Sequence, residues 1–294
     1  MSNKQKIAIC LFGVIRSTEK CIPSIYKNII EPLEEIYDVS IYFHIYKLKE
    51  INSGRSGEKS KIDESEYDFL DKFHGILEES TKIDENYADL IFSTGDPFFN
   101  NFHSCKNLFR QLLSINKVYN KAKQSKPLAY LFLRPDLEYI NNIDLSAVNK
   151  CINENSQIVI PYWQWWGGMN DRFAICGEKA AETYASRYYR LSEFCLGQNN
   201  MMHAEKLVKY VICKDKLSLQ LTDMKAKRVR VNGEYVDESF SLFTDTTIKK
   251  AQSKLNYLFS IGQSILGKIR DRNLVILFWH YWFDIKIKST TNDD

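Results

Sequence analysis

Six consecutive apolar residues, Ile7-Ala8-Ile9-Cys10-Leu11-Phe12, end at Gly13 near the start of the chain. A run with no polar residue for either face suits a strand covered on both sides, as in a parallel sheet. Behind it, Ile22, Ile25, Tyr26, Ile29, Ile30, Leu33 and Ile36 are spaced along one face of a helix. Residues 39–46 (VSIYFHIY) are rich in β-branched and aromatic side chains and read as a second strand. Strand, helix and strand in this order form a βαβ unit, which makes the strands parallel and lays helices over the sheet. The expected class is therefore α/β: a Rossmann-type, mostly parallel central sheet flanked by helices.

The rest of the chain extends this pattern. Residues 47–65 are polar, contain Gly54 and Gly57, and read as a surface loop. Helices are expected over residues 67–77, 104–123, 177–189 and 203–213. Further strands are expected over residues 128–133, 157–161 and 171–175, with short ones over 217–221 and 228–231. Composition shifts after Phe240, dividing the chain into a main domain, residues 1–240, and a helical tail, residues 241–294. The tail combines an apolar stripe (Ile248, Ala251, Leu255, Leu258, Ile265, Ile269) with Lys249, Lys250, Lys254, Lys268, Arg270 and Arg272. Such an element suits an anionic membrane surface; docking on the main domain or a dimer contact is the alternative. Its most apolar segment, residues 274–283, falls short of the roughly 20 residues that span a bilayer.

Charge and motifs remove several function classes. Forty Lys and Arg stand against 37 Asp and Glu, so there is no basic surplus to neutralise nucleic-acid phosphates. Seven cysteines lie far apart with no CxxC pair, which fits reduced thiols and a cytoplasmic protein, with the tail allowing peripheral contact at the inner face of the membrane. Residues 54–60 (GRSGEKS) fail the phosphate-loop pattern, because Glu58 replaces the glycine before the lysine. HExxH, GxSxG and GxGxxG are all missing, which leaves metalloprotease, serine-hydrolase and dinucleotide readings without support.

A series of short segments survives. Phe12-Gly13-Val14-Ile15-Arg16 follows the first strand, and Phe43-His44-Ile45-Tyr46 closes the second. Gln111-Leu112-Leu113-Ser114-Ile115 lies on the helix before Leu133-Arg134-Pro135-Asp136-Leu137. Asn170-Asp171-Arg172-Phe173-Ala174-Ile175 precedes a Gly177-started helix bearing Tyr184, and Glu205 opens a helix bearing Leu207. In this order the series resembles bacterial glycosyltransferases of capsule, O-antigen and lipopolysaccharide synthesis, which have the GT-A nucleotide-diphospho-sugar transferase fold. The resemblance covers residues 5–235. It implies a nucleotide-sugar donor, a glycan or lipid-linked acceptor, and a divalent cation, Mn²⁺ or Mg²⁺, bridging the donor diphosphate.

On that resemblance, Asp136 would hold the metal with help from Glu138, and Arg134 would pair with a phosphate as a planar fork; a structural turn with Arg134 and Asp136 paired together is the alternative. The family pattern has a second arginine two residues before Arg134, where this chain has Phe132. Gly13 would let the backbone approach the base, and Arg16 would reach ribose or phosphate; a plain turn and a solvated arginine are the alternatives. Trp163, Trp165 and Trp166 sit in an aromatic loop before Asp171 and offer faces for sugar C–H surfaces, with core filler as the alternative. If the reaction inverts, Asp171 is the first candidate for general base on an acceptor hydroxyl and Glu205 the second, with a cap or ion-pair role for Asp171 as the alternative. Arg228 and Arg230 either close over the diphosphate or lie on the surface. Besides a transferase, two functions remain open: a non-catalytic sugar- or nucleotide-binding protein of the same fold, and a nucleotidyltransferase.

Overall fold

Strand β1 (Lys6–Val14) lies inside a seven-stranded sheet, paired in parallel with β2 (Asp38–Lys47) on one side and β6 (Ala129–Leu133) on the other. The structure is a computed structural model and describes residues 4–53, 57–79, 81–197 and 200–241, with the backbone alone for 81–86. The expected tail, residues 241–294, lies outside the described residues apart from Ser241.

The alternation within β1 sorts the two faces. Ile7, Ile9 and Leu11 pack with Ile25, Ile29 and Leu33 of the first helical segment and with Ala147, Val148 and Cys151 of α5 (Leu145–Asn153). Ala8, Cys10 and Phe12 pack on the other face with α4 (His103–Lys123), α6 (Glu178–Ala185) and α7 (Ala204–Lys214). Both faces are covered, as the uninterrupted apolar run requires.

The first helical segment is α1 (Thr18–Ile25), a π-helical turn (Tyr26–Ile30) and α2 (Glu31–Glu34). Pro32 explains the irregularity: it lacks the N–H that the Asn28 carbonyl would accept in a regular helix. The Ile143 N–H takes that carbonyl instead, at 2.9 Å.

The strand order is β10 (Ser218–Thr222), β8 (Gln157–Pro161), β9 (Ala174–Gly177), β6, β1, β2 and β5 (His74–Glu79). Only β9 runs against its neighbours, β6 and β8. Beside this sheet, β7 (Leu137–Tyr139) pairs antiparallel with β11 (Ala226–Arg228), which sets Arg228 opposite Leu137. From β1 the chain crosses to β2 over one face; it returns from β5 to β6 through α3 (Thr81–Ser93) and α4, the latter on the opposite face. Between β1 and β6 the winding reverses. Ligands of such sheets bind in the crevice outside the carboxyl ends at that point. Among the described residues, no helix is long and apolar enough to cross a membrane.

Several segments differ from expectation. The polar stretch after β2 holds a hairpin, β3 (Glu50–Ser53) with β4 (Glu58–Lys61), because Ile51 and Ile62 are buried beneath it. Residues 67–77, expected as one helix, are a 3₁₀ helix (Glu64–Lys72) followed by β5. Tyr67, Leu70 and Phe73 recur every third residue, a spacing that suits the tighter helix as well as the α form. The strand expected at 171–175 begins three residues later, at Ala174. Finally, α5 was not expected; its Asp144 cap accepts from the Ser146 and Ala147 amides.

Candidate functional site

Gly13 lies at the carboxyl end of β1 and Arg16 follows it, and Arg134 and Asp136 follow β6, so the topological reversal brings them to one crevice. Gly13 has φ +102°, which side-chain-bearing residues avoid, and a Cβ there would meet nothing within 4 Å. Its N–H donates to Ser114 Oγ at 2.8 Å. Ser114 Oγ is also 2.6 Å from the His44 carbonyl and 3.0 Å from His44 Nδ1, while His44 Nε2 is 2.9 Å from Glu78 Oε2. Lys117 pairs with the same Glu78 oxygen. The end of β1 is thereby tied to β2, α4 and the edge strand β5.

Asp136 is buried, 1% exposed, and both of its oxygens are occupied. Arg134 Nε donates to Oδ1 at 2.9 Å and Arg134 Nη2 to Oδ2 at 2.8 Å. Arg16 Nη1 adds a third bond to Oδ2 at 2.6 Å. Burial opposes ionisation of this carboxyl, but the two guanidinium charges outweigh it and hold the pKa at about 2.

The arginines continue beyond this pair. Glu58, on the hairpin, accepts from Arg230 Nη1 at 2.9 Å and the Val231 amide at 3.0 Å, and lies 3.7 Å from Arg16 Nε. Glu238 Oε1 accepts from Arg172 Nη1 at 2.7 Å and Arg228 Nε at 2.6 Å. Five guanidinium groups, those of Arg16, Arg134, Arg172, Arg228 and Arg230, thus share three buried carboxylates, Asp136, Glu58 and Glu238.

A cavity of about 270 Å³ opens on this edge, lined by Gly13, Arg16, Arg134, residues 50–53 of the hairpin, and His103, Asn107, Arg110 and Gln111 of α4. Among the described lining residues, three arginines and a histidine face one acid, Glu50. Because α4 precedes a strand parallel to β1, its N-terminal end also lies at this edge, where helix amides favour anions.

Antiparallel β9 brings in the carboxylates. Ala174 stands opposite Phe132, so residues 171–173 run alongside the Arg134 end of β6. Asp171 Oδ2 accepts from Gln111 Nε2 at 2.8 Å, joining it to a residue of the cavity wall. Glu205, in the first turn of α7, sits beside it. Burial pushes the Glu205 pKa up, the Asp171 charge pushes it further, and His203, with Nδ1 at 3.2 Å from Oε2, pulls it down. The contact between the two segments is tight. A Cβ on Gly168 would lie 2.0 Å from the Glu205 carbonyl carbon, and the Met169 N–H donates to the Glu205 carbonyl at 2.8 Å.

The aromatic loop requires a correction. Trp163 is fully buried; its Nε1 donates to the Met224 carbonyl at 2.9 Å, and Phe240 meets its ring edge-on at 5.2 Å. It is core and offers no face to a sugar. Trp165 is half-buried with Nε1 on the Pro161 carbonyl at 2.7 Å, while Trp166 is 51% exposed.

The expected metal pair also fails a fit to the residues present. Asp136 takes three N–H contacts from Arg134 and Arg16 on its two oxygens, so a cation would have to displace guanidinium groups, and Glu138 Oε1 accepts from Tyr235 Oη at 3.1 Å. Among the described residues, no group of three His, Cys, Asp or Glu is arranged to hold a metal ion. The donor set at this strand end is cationic and does not suit Mn²⁺ or Mg²⁺, whose ligands are oxygens. Arg228 and Arg230 are held by Glu238 and Glu58 as described, and neither lines the cavity. Sequence reasoning missed Arg110, Glu58 and Glu238, which become meaningful only when distant segments meet.

Neither a protein-family model nor a curated protein sequence matches the chain. Among solved structures, the chain is similar to mouse xyloside xylosyltransferase 1 in its apo form, at 8% identity over 74% of this chain and 85% of that one, with a TM-score of 0.38.

Proposed function

We propose that this protein is a glycosyltransferase that takes a sugar from a nucleotide-sugar donor and passes it to a hydroxyl of a glycan or lipid-linked acceptor. The observation that carries the reading is the juxtaposition at one sheet edge. An arginine-lined cavity at the β1/β6 reversal stands beside a carboxylate pair tied to it through Gln111. The donor diphosphate would face Arg16, Arg134 and Arg110, with Gly13 leaving room for close approach of the nucleotide. Asp171, with Oδ2 held by Gln111, keeps Oδ1 for an acceptor hydroxyl and would take its proton as the new glycosidic bond forms. Glu205, whose carboxyl retains its proton to higher pH, would orient the acceptor. Trp165 and Trp166 would flank the sugar. The order of motifs along the chain supports the same reading, as does the lack of any hydrolase or dinucleotide signature.

The test is donor turnover. The full-length protein is incubated with a panel of nucleotide-sugars, and release of nucleoside diphosphate is followed with and without candidate acceptors. Release from one donor, reduced at least about a hundredfold by Asp171→Asn, supports the assignment. Binding of a nucleotide-sugar with no turnover under any condition points to the non-catalytic alternative. Release of pyrophosphate from a nucleoside triphosphate and a sugar phosphate points to a nucleotidyltransferase.

A further inference from the structure

We infer that the crevice neutralises a nucleoside diphosphate with guanidinium groups in place of a divalent cation. This rests on the transferase reading above and specifies how its donor is held. The strand end where the resemblance implies an acidic, metal-holding motif carries Arg134-Pro135-Asp136, so a cation stands in the chain itself at the first of these positions. The acid that remains serves the arginines. Three N–H contacts of 2.6–2.9 Å from Arg16 and Arg134 occupy its two oxygens, and a metal would have to strip them away inside a site only 1% exposed.

The arrangement leaves positive charge over. Asp136 is shared by two arginines, Glu238 by two, and Glu58 answers Arg230 while standing 3.7 Å from Arg16 Nε. That Nε is buried and has no hydrogen-bond partner. Arg16 and Arg134, with side chains 14% and 19% exposed, both reach the cavity wall, and Arg110 joins them from α4. Guanidinium groups are well matched to a diphosphate, because they stay charged at any working pH, are weakly hydrated, and present planar forks to phosphate oxygens. Asp136, held by both, fixes the two forks relative to each other before a ligand arrives, which lowers the ordering cost of binding.

The experiment titrates UDP, GDP, CDP and ADP into the full-length protein by calorimetry, once in excess EDTA and once in excess Mn²⁺. The inference expects at least one nucleotide to bind, with affinities in the two buffers within about threefold. It also expects Arg16→Gln to weaken binding about tenfold or more, the loss of one charge-assisted hydrogen bond. Arg110→Gln, outside the Asp136 cluster, gives a second variant if the first unfolds, and is expected to weaken binding in both buffers. Affinity that appears only with Mn²⁺, or rises tenfold with it, overturns the inference while leaving the transferase reading standing. No binding of any nucleoside diphosphate in either buffer overturns both.

Discussion

Arg134 grips Asp136 two residues further along the chain through two parallel N–H contacts, Nε to Oδ1 at 2.9 Å and Nη2 to Oδ2 at 2.8 Å, and Arg16 closes the third side. The geometry turns a strand-end acid into the anchor of two cations. Removing it leaves both guanidinium groups facing each other at a buried position. Asp136→Asn is expected to lower unfolding free energy by roughly 3 kcal/mol in urea denaturation, the range for breaking a buried ion pair. A variant as stable as the parent would remove this anchoring role.

The same cluster sets an acid limit on stability. The folded pKa of Asp136, about 2, lies below the usual aspartate value of about 3.9, so the folded state binds the proton less readily. The stabilisation is complete above about pH 4 and is lost as pH falls toward 2, amounting to about 2 kcal/mol. Denaturation midpoints at stepped pH should fall across this window, and the fall should be smaller in Asp136→Asn.

The βαβ opening, α4 and the strands β6 and β8 were legible because their apolar residues keep one period over a full element. Residues whose placement depends on distant partners were not. Trp163 read as a sugar platform because a tryptophan beside Trp165 and Trp166 looks like its neighbours; only the Met224 carbonyl and Phe240 ring make it core. Asp136 read as a metal ligand because an acid at a sheet's carboxyl edge is where such ligands occur. Arg16 lies 120 residues away in sequence, and no local pattern announces that it adds a second contact to Oδ2 beside that of Arg134. Glu238 takes Arg172 from 66 residues away and Arg228 from 10. Gly13, by contrast, lines the cavity at the sheet edge where it was expected, because its place at the end of β1 follows from the local apolar run alone.

The two readings of the tryptophan loop separate by mutation. Trp163→Ala removes a fully buried indole, its hydrogen bond and the ring beneath the Arg172 guanidinium, 5.2 Å from the ring centre. It is expected to cost about 3–5 kcal/mol of stability. Trp166→Ala, at an exposed position, should change stability by no more than about 0.5 kcal/mol while raising the acceptor KM. Equal stability losses in both variants, with no kinetic change, would end the proposal that the loop meets a sugar.

Glu205 offers a direct reading of the carboxylate pair. Its pKa is raised by burial first and by Asp171 second, so the folded state holds the proton more tightly than the unfolded chain. That contribution is present below the unfolded value of about 4.3 and is lost as pH rises through the folded value. Carbon-detected NMR of the Glu205 carboxyl should show a midpoint above about 4.3, moving down in Asp171→Asn. An unmoved midpoint would mean the two side chains do not sense each other.

The support beneath Gly13 should be sensitive to acid in the opposite direction. Burial lowers the His44 pKa, outweighing the pull of Glu78, so protonation is resisted in the folded state. A depressed histidine stabilises the fold above its unfolded pKa of about 6.5, and this is lost as pH falls through the folded value. Ser114 gives its one hydroxyl proton to the His44 carbonyl and accepts the Gly13 N–H, so its oxygen meets His44 Nδ1, 3.0 Å away, as an acceptor, while Nε2 faces Glu78. With both ring nitrogens protonated, Nδ1 must donate to the same Ser114 oxygen that accepts the Gly13 N–H. In Ser114→Ala the Gly13 amide has no side-chain acceptor, and its hydrogen exchange is expected to quicken at neutral pH about tenfold, the loss of roughly one hydrogen bond. In the parent protein, Gly13 exchange corrected for its intrinsic pH dependence should change across the His44 titration, and in Ser114→Ala it should not. A pH-independent protection factor in the parent would separate the histidine from the turn.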